Sequence, residues 1–458
     1  MYHALAWLAG TAVDLFYRRR VIAGAVPAEG PVLLVANHPN GIIDAVLVAT
    51  ATKRPVRMLA KAPLFSMPGL SVVVRGAGAL PVYRAKDGAD TAQNASTFAA
   101  VEEALLHNSA VLIFPEGISH DEPQLQPLKT GAARMALMAL ARGARDLRVV
   151  PVGLSYRDKP RFRSDAVVVI GEPIAVSAFA PPAAAPAAAV PAAAAAEPAA
   201  VRALTNAIDE ALRAVTVNLE RWEELPLLEL VDSMWRQSDE EHARRVQNLA
   251  EGVRVARAGR PGVVDDLARR LSAFSERLRR LGLGVRDLED SLHAQTRPLA
   301  VARFFVRNAL ALLFAFPLAV AGAVFWFIPF WTVHGIYRWK NPKKDLAATV
   351  KVLAGLVIFP LWLVGVCGLL LAQGAWDWAV FCVLVAPGAG MTTRHFFRRR
   401  FLALRQAASF VRLFGRRRLM QGLLHERDSF VAEIDELARW VEEHRALHDK
   451  TAAAKNVS

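Results

Sequence analysis

The chain has 458 residues, of which 54% are hydrophobic, with a mean hydropathy of +0.26 and a formal charge of +14. This length allows two or three domains, and the apolar content exceeds that of a typical soluble protein, which indicates a membrane component. Both cysteines, Cys367 and Cys382, lie in apolar runs, which excludes a disulfide framework and a cysteine-based zinc site.

Residues 1–20 predict a short helix followed by the basic cluster Arg18-Arg19-Arg20. Aromatic residues such as Trp7 suit a membrane interface and the arginines suit acidic head groups, so we predict an interfacial helix here. A helix packed on the core of the next domain is the alternative. Because the basic residues follow the apolar stretch, a cleaved signal peptide is not predicted.

Between residues 21 and 178, short apolar runs alternate with helical stretches, which is the pattern of an α/β domain. The stretch 53–67 mixes basic and large apolar residues and is interpreted as a solvated turn beside a core strand, with a lipid-facing surface as the alternative. Strands are predicted at 32–36, 72–74, 110–114, 149–154 and 166–171, and helices at 42–52, 94–107 and 131–142.

Residues 37–44, Asn-His-Pro-Asn-Gly-Ile-Ile-Asp, carry a pattern that suits proton transfer. A neutral imidazole at His38 can take a proton from an alcohol, and a carboxylate at Asp44 can fix its tautomer and stabilise the imidazolium. On a regular helix the two residues would be about 240° apart, at roughly 100° per residue, so they meet only if the intervening turn folds back. Taken alone, the stretch favours a turn histidine with an N-cap aspartate over a pair that transfers a proton.

Three further blocks follow in order: Gly-Ala-Leu-Pro-Val-Tyr-Arg at 78–84, Phe-Pro-Glu-Gly at 114–117 and Val-Pro-Val-Gly at 150–153. Together with residues 37–44 they resemble the four blocks of the glycerolipid acyltransferase family, which esterifies glycerol-3-phosphate and lysophosphatidate. The resemblance covers residues 21–176. It implies an α/β acyltransferase domain, with a mixed sheet flanked by helices, and a membrane segment after it.

Details of the blocks point to one branch of this family. Five residues separate His38 from Asp44, where the commonest first block has four. This spacing and the segment 114–131 resemble the branch that contains the fungal glycerol-3-phosphate/dihydroxyacetone-phosphate acyltransferases. Ile118 and Ser119 stand where many family members have an arginine, so phosphate contacts of those members do not transfer directly.

The predicted site combines a base with cationic groups. His38 is the predicted general base and Asp44 its orienting carboxylate. The resemblance implies that Arg84 and the Glu116-Gly117 turn bind the glycerol phosphate, since the arginine fork matches phosphate oxygens and glycine lets the backbone approach closely. Glu116 cannot bind phosphate itself and is expected to orient Arg84 or a hydroxyl.

Lys129 precedes a predicted helix and is a second candidate for a phosphate contact, with a solvated loop lysine as the alternative. The adjacent residues Ser119, His120 and Asp121 are not predicted to form a triad, because three consecutive side chains rarely point to one place. No metal site, glycine-rich phosphate loop or cofactor is predicted; acyl-CoA or acyl-carrier protein is the expected co-substrate.

Residues 179–200 form an Ala/Pro tract whose regular prolines predict a semi-extended linker. Residues 201–297 follow with apolar positions spaced by three and four, which predicts a helical subdomain. No chemistry is assigned to this subdomain.

Membrane segments are predicted within residues 304–393, at 308–333, 352–372 and 378–393. Pro317 and Pro329 favour a kinked or re-entrant first segment. Lysines and arginines lie before 308, within 336–351 and after 393, so the positive-inside rule places all three regions on the cytoplasmic side. The first segment then enters and leaves the same face, and the other two form a hairpin. Residues 394–458 predict an amphipathic helical tail.

The family resemblance, together with the predicted membrane segments, implies an O-acyltransferase of the cytoplasmic (inner) membrane that acylates glycerol-3-phosphate at position 1, with its catalytic domain facing the cytoplasm. Lysophosphatidate is the second acceptor considered and an amino-lipid or other alcohol the third. A catalytically inactive membrane scaffold is the alternative from another class. The expected partners are membrane phospholipid and an acyl donor. Nucleic acid is not an expected partner, because the basic residues flank lipid-facing runs; the oligomeric state is not predicted.

Overall fold

A computed structural model of the chain describes residues 1–22, 24–67, 70–83, 94–180, 197–235, 242–285, 298–413 and 417–455. The chain divides into two compact units. The first contains Met1–Asn218 and Ile336–Leu356, and the second contains Leu219–Gly335 and Val357–Ser458. Residues 37–44 therefore lie in the first unit.

The first unit is built on an eight-stranded sheet. Its strands are β1 (Tyr17–Ile22), β2 (Val32–Ala36), β3 (Val56–Lys61), β4 (Leu80–Val82), β5 (Ala110–Ile113), β6 (Arg148–Tyr156), β7 (Ser164–Ile170) and β8 (Ile174–Ala175). Their order is β1-β7-β6-β2-β5-β3-β4, and β8 pairs with β6. All pairs are parallel except those of β6 with β7 and β8. The predicted α/β fold with a mixed sheet is confirmed.

The described residues before 219 form six helices: α1 (Tyr2–Phe16), α2 (Ile42–Ala51), α3 (Leu70–Gly76), α4 (Asn94–Leu106), α5 (Gly131–Ala141) and α6 (Pro198–Val215). The chain also forms 3-10 turns at Ala62–Phe65 and Val176–Phe179. The central strand β2 is buried at all five positions. Its unbroken Val/Leu sequence follows from this position, because a parallel strand covered on both faces has no solvent-facing side to alternate with.

Two segments differ from the predictions. The predicted strand 72–74 lies in α3, where Val72 and Val73 are exposed. Three consecutive β-branched residues favour a strand, but no described strand pairs with these three. The next strand begins only at Leu80. The stretch 53–67 was predicted as a turn and contains β3, which pairs with both β4 and β5.

Helix α1 has one face packed on the α/β domain and one exposed face. Gly10, Val13 and Phe16 are buried, and α1 packs on α2, as in the core-packed alternative. Trp7 on the other face is 71% exposed. Contact of that face with a membrane stays a prediction.

After α6, the described residues form helices joined by short turns and contain no strand. Its helices are α7 (Leu225–Met234), α8 (His242–Gly259), α9 (Pro261–Arg280), α10 (Pro298–Phe325), α11 (Phe327–Lys340), α12 (Lys344–Ala372), α13 (Trp376–Leu413) and α14 (Arg417–Lys455). In the second unit, Phe274 of α9 is fully buried in a cluster with Met420 and Phe430 of α14. The predicted apolar spacing of residues 267–281 thus corresponds to a packed face. Most of the linker tract, residues 181–196, lies outside the described residues.

Helix α12 is 29 residues long and apolar enough to cross a membrane, and the pair Ala315–Phe325 and Phe327–Lys340 meets the same test as one bent span. The bend is 52° and lies between Phe325 and Phe327, not at Pro317. Pro329 has no N–H, so it leaves the carbonyl of Phe325 without its helical donor. The indole Nε1 of Trp362 donates to that carbonyl at 3.1 Å. Helix α13, which contains 378–393, is not among the described helices that meet the test.

The first turns of α12 belong to the first unit. Ala348 is fully buried in the core of the α/β domain, and the Lys351 ammonium donates to the carbonyl of Pro160 at 2.6 Å. Lysines at 343–351 favoured a loop before a span at 352, but the helix begins at Lys344. A helix that is apolar in its later turns therefore starts inside the α/β domain.

Candidate active site

The carboxyl ends of three neighbouring parallel strands bring the predicted site together. Strand β2 pairs in parallel with β5 on one side and with β6 on the other. His38 follows the end of β2, Glu116 follows the end of β5 and Tyr156 is the last residue of β6. Parallel strands place their carboxyl ends at one edge of a sheet, which is where α/β proteins build their sites.

The turn between β2 and α2 folds back, so that His38 and Asp44 meet. The Nδ1 atom of His38 lies 2.9 Å from Oδ2 of Asp44. Gly41, the N-cap of α2, has φ +54° and ψ −132°, a backbone that favours glycine. Asp44 lies in the first helical turn and also accepts the backbone N–H of Asn40 at 2.6 Å. The carboxylate therefore accepts a backbone N–H just before α2 and also orients the imidazole.

The Asp44 side chain is completely buried and fully hydrogen-bonded. Besides His38 and Asn40, it accepts the hydroxyl of Tyr156 at 2.5 Å on Oδ1. Burial raises the pKa of the Tyr156 phenol well above its ordinary value, and the negative charge of Asp44 raises it further. The phenol therefore remains a donor to Asp44 at neutral and moderately alkaline pH.

Two contacts hold the His38 ring and the strand end before it. The imidazole stacks on Phe114, with ring centroids 3.9 Å apart and planes at 10°. The side chain of Asn37 accepts from the backbone N–H of Leu154 at 2.7 Å and donates to its carbonyl at 3.0 Å. This amide continues the ladder between β2 and β6 beyond the last strand residue.

The second nitrogen of His38 is available for chemistry. An ionised carboxylate only accepts hydrogen bonds, so the Nδ1 that contacts Asp44 carries the proton and Nε2 keeps its lone pair. The side chain is 13% exposed, and no described residue hydrogen-bonds to Nε2. This arrangement can accept a proton from a hydroxyl and hold the resulting positive charge beside Asp44.

Glu116 and Lys129 lie on the loop after β5. The Glu116 side chain is completely buried, and its Oε1 accepts the backbone N–H of His38 at 2.9 Å. Gly117 has φ +75°, and a Cβ on this residue would lie 2.6 Å from the ammonium nitrogen of Lys129. Lys129 is exposed and its ammonium lies directly over the Gly117 backbone, one residue before the N-cap of α5. Arg84 lies outside the described residues.

The adjacent residues Ser119, His120 and Asp121 contact three different groups. Ser119 Oγ accepts the backbone N–H of Gly41 at 3.1 Å, His120 pairs with Glu116, and Asp121 pairs with Lys159 at 2.6 Å. Among the residues that the structure describes, no group of three or more His, Cys, Asp or Glu side chains is arranged to hold a metal ion.

The sequence analysis assigns no role to Tyr156, Asn40 or His120, although all three bond to the predicted site residues. A weak signal for Tyr156 exists in the strand pattern. Val152 and Leu154 of β6 face the core, and a period of two places Tyr156 on the same face at the end of the strand. Nothing in the sequence pattern predicts that His120 and Glu116 meet across their loop.

Comparison with known proteins finds similarity over part of this chain. Residues 19–155 match the Acyltransferase family model. Glycerol-3-phosphate O-acyltransferase 2 of Saccharomyces cerevisiae is 29% identical over 307 residues, which cover 60% of this chain and 38% of the yeast protein. Glycerol-3-phosphate O-acyltransferase 1 of the same yeast is 26% identical over 265 residues, which cover 56% and 33%. The chain thus spans 38% of the length of the first of these relatives and 33% of the second.

Among solved structures, the 1-acyl-sn-glycerophosphate (LPA) acyltransferase PlsC from Thermotoga maritima is similar to this chain at 16% identity and a TM-score of 0.34. The alignment covers 47% of this chain and 78% of the solved one.

Proposed function

We propose that this chain is an O-acyltransferase that moves a fatty acyl group from acyl-CoA or acyl-carrier protein to position 1 of glycerol-3-phosphate, because residues 19–155 match the Acyltransferase family model. The observation that carries the chemistry is the His38 imidazole, which contacts Asp44 through Nδ1 and has no hydrogen bond from a described residue at Nε2. Glycerol-3-phosphate is the acceptor of choice because both similar yeast proteins are named for it.

In the proposed reaction, His38 Nε2 takes the proton of the acceptor hydroxyl as the oxygen attacks the thioester carbonyl carbon. The carbon–oxygen bond forms, the carbon–sulfur bond breaks, and the leaving thiolate takes the proton back from the imidazolium. The products are the ester and the free thiol, so no enzyme nucleophile is needed. Asp44 stabilises the imidazolium, and Tyr156 and the Asn40 N–H hold Asp44 in place.

The acceptor phosphate is proposed to lie near Gly117 and Lys129, with Arg84 as a further ligand. The Lys129 ammonium lies over the backbone of Gly117, which has no side chain to exclude it. The N-terminus of α5 begins directly after this lysine and adds its partial positive charge. Phosphate held here would leave the acceptor hydroxyl free to face the histidine.

The reaction is proposed to take place at the cytoplasmic membrane, with the α/β domain in the cytoplasm. Helix α12 is long enough to cross a hydrocarbon core of about 30 Å, and Leu361, Val364 and Leu369 are each more than 60% exposed. Membrane phospholipid would cover these side chains. The lipid product would then form beside the bilayer that receives it.

The test is acyl transfer by the full-length protein in membranes, with labelled acyl-CoA or acyl-carrier protein, and with glycerol-3-phosphate and lysophosphatidate offered separately. We expect His38-dependent product from glycerol-3-phosphate, and His38→Ala to lose it while membrane insertion is retained. Product from lysophosphatidate alone would show that lysophosphatidate, and not glycerol-3-phosphate, is the acceptor. No product with either acceptor and either donor from inserted protein would contradict the proposed activity and favour another alcohol or an inactive scaffold.

A further inference from the structure

A second histidine–carboxylate pair, His120 and Glu116, lies beside the backbone of His38. The Nε2 atom of His120 is 2.5 Å from Oε2 of Glu116, and the two side chains are 12% and 0% exposed. The other ring nitrogen, Nδ1, accepts the backbone N–H of Glu122 at 3.1 Å. A nitrogen that accepts a hydrogen bond carries no proton, so the ring proton is on Nε2 and is donated to Glu116.

Glu116 uses its carboxylate entirely within the protein. Oε1 accepts the backbone N–H of His38, and Oε2 accepts both His120 and the backbone N–H of Gln126, the latter at 2.8 Å. Because the side chain has no exposed surface, none of these oxygens faces a substrate. Three N–H donors compensate the negative charge of this buried carboxylate. Removal of any one of them would leave part of that charge without a hydrogen bond and would destabilise the fold.

The loop that carries this pair holds the backbone of His38 on both sides. The His38 N–H donates to Glu116, and the His38 carbonyl accepts the backbone N–H of His120 at 3.2 Å. The following turn is tied to the same loop, because Ser119 accepts the N–H of Gly41. The backbone position of His38 is therefore set by residues 116–120.

We propose that Glu116 and His120 are positioning residues: Glu116 fixes the backbone of His38 and does not bind the acceptor, and His120 holds Glu116 in the orientation that does so. The inference rests on the proposed acyl transfer. It assigns Glu116 a role different from the acceptor-binding role that its sequence block implies. Positioning of this kind acts on kcat, because a displacement of about 1 Å at a catalytic group costs about 100-fold in rate.

The first experiment separates the two roles of Glu116 by kinetics of the full-length enzyme in membranes. Both carboxylate oxygens accept N–H groups, so the amide of Glu116→Gln must place a donor against a donor. We expect kcat to fall by about 10- to 100-fold, with KM for glycerol-3-phosphate changed by less than about twofold. A tenfold rise of KM with kcat retained would overturn the inference, as would unchanged kcat and KM.

Two substitutions of His120 test the second step. Glutamine at this position keeps an N–H donor that can reach Glu116, whereas alanine removes it. We expect His120→Gln to keep kcat within about threefold of wild type and His120→Ala to lower it about tenfold. Equal kcat values for the two variants, whether both high or both low, would show that the N–H donor of His120 does not hold Glu116 in place.

A matched control pair occurs on the exposed end of α4. His107 Nδ1 lies 3.4 Å from Glu103 Oε1, again four residues apart, but the two side chains are 72% and 60% exposed. Glu103→Gln and His107→Ala are expected to leave kcat and KM unchanged, because an exposed pair of this kind contributes little.

Chemical modification tests the arrangement without acyl transfer. Treatment of the full-length protein with diethyl pyrocarbonate, followed by peptide mass spectrometry, reports on free imidazole nitrogens. Both nitrogens of His120 are hydrogen-bonded, so we expect it to react at least about tenfold more slowly than His107, and Glu116→Ala to remove this protection. Rapid modification of wild-type His120 would overturn the inference. Intact protection in a wild-type protein that transfers no acyl group would instead refute the proposed function alone.

Discussion

The two histidine–carboxylate pairs at the edge of the sheet are similar in most measures. His38 lies 2.9 Å from Asp44 and His120 lies 2.5 Å from Glu116; the imidazoles are 13% and 12% exposed, and both carboxylate side chains are fully buried. They differ at the far nitrogen. His120 accepts the Glu122 N–H there, whereas no described residue bonds to the far nitrogen of His38.

This difference shows which pair suits catalysis. A carboxylate next to a histidine fixes a tautomer in both cases, but only an imidazole with a free lone pair can take a proton from a substrate. The carboxylates differ in the same sense. Asp44 accepts the hydroxyl of Tyr156 and a backbone N–H beside the ring that it orients, while Glu116 accepts two backbone N–H groups of different loops. In our proposal, the first pair transfers the proton and the second holds the loops together.

The largest effect is expected from His38→Gln. Loss of a general base lowers the rate by about 10²- to 10⁴-fold, and glutamine has no nitrogen that takes a proton at neutral pH. The measurement is the initial rate of acyl transfer in membranes at equal amounts of inserted protein. A loss of the same size in His120→Gln would erase the distinction between the pairs.

Asp44→Asn is expected to have the next largest effect, about 100-fold or more on kcat, because the amide no longer stabilises the imidazolium and favours the wrong tautomer. The buried amide must also face the Asn40 N–H, which Asp44 now accepts at 2.6 Å. Steady-state kinetics with saturating acceptor measure this. Activity within about threefold of wild type would show that His38 does not depend on this carboxylate.

Tyr156→Phe is expected to reduce kcat by about tenfold and to lower thermal stability, since a buried carboxylate oxygen left without its donor costs about 1–3 kcal/mol. Because burial and Asp44 both raise the pKa of the phenol, its contribution is present below the ordinary tyrosine pKa of about 10 and is lost only at higher pH. Rate and thermal unfolding are the two measurements.

A matched control for this variant is Tyr2→Phe, which removes the acceptor of the Val56 N–H at 2.8 Å, away from the site. It is expected to change stability alone. Equal kcat in Tyr156→Phe and wild type would mean that Asp44 keeps its orientation without the phenol.

The part of this site that is local in sequence can be predicted from the sequence, whereas the part made by contacts between distant residues cannot. Strand β2, the turn after it and the start of α2 follow from an apolar run, a Pro-Asn-Gly turn and a second apolar run, and the fold-back of that turn is set within eight residues. The partners Tyr156 and Glu116 depend on which strands lie beside β2, and strand order leaves no periodic signal.

The same reasoning explains the errors at 72–74 and at the start of α12. Valine-rich composition and clustered lysines are local signals. A strand at 72–74 would need a neighbouring strand to pair with, and the start of α12 is helical where it packs on a distant core. Ala348 is fully buried among residues of the α/β core, although lysines surround it in the sequence. Tertiary packing outweighs local preference at such positions.

The smallest expected effect belongs to Lys129→Ala, and it sharpens the contrast with Glu116 most directly. Both residues lie in the loop after β5, but the lysine is exposed over Gly117 while the carboxylate is buried behind His38. A solvated ammonium contributes modestly to phosphate binding, so KM for glycerol-3-phosphate should rise about three- to tenfold with kcat unchanged. The exposed Lys53 supplies a control, since Lys53→Ala should leave KM unchanged. A fall in kcat without a change in KM would make Lys129 part of the positioning loop, and the acceptor phosphate would then have to be bound elsewhere.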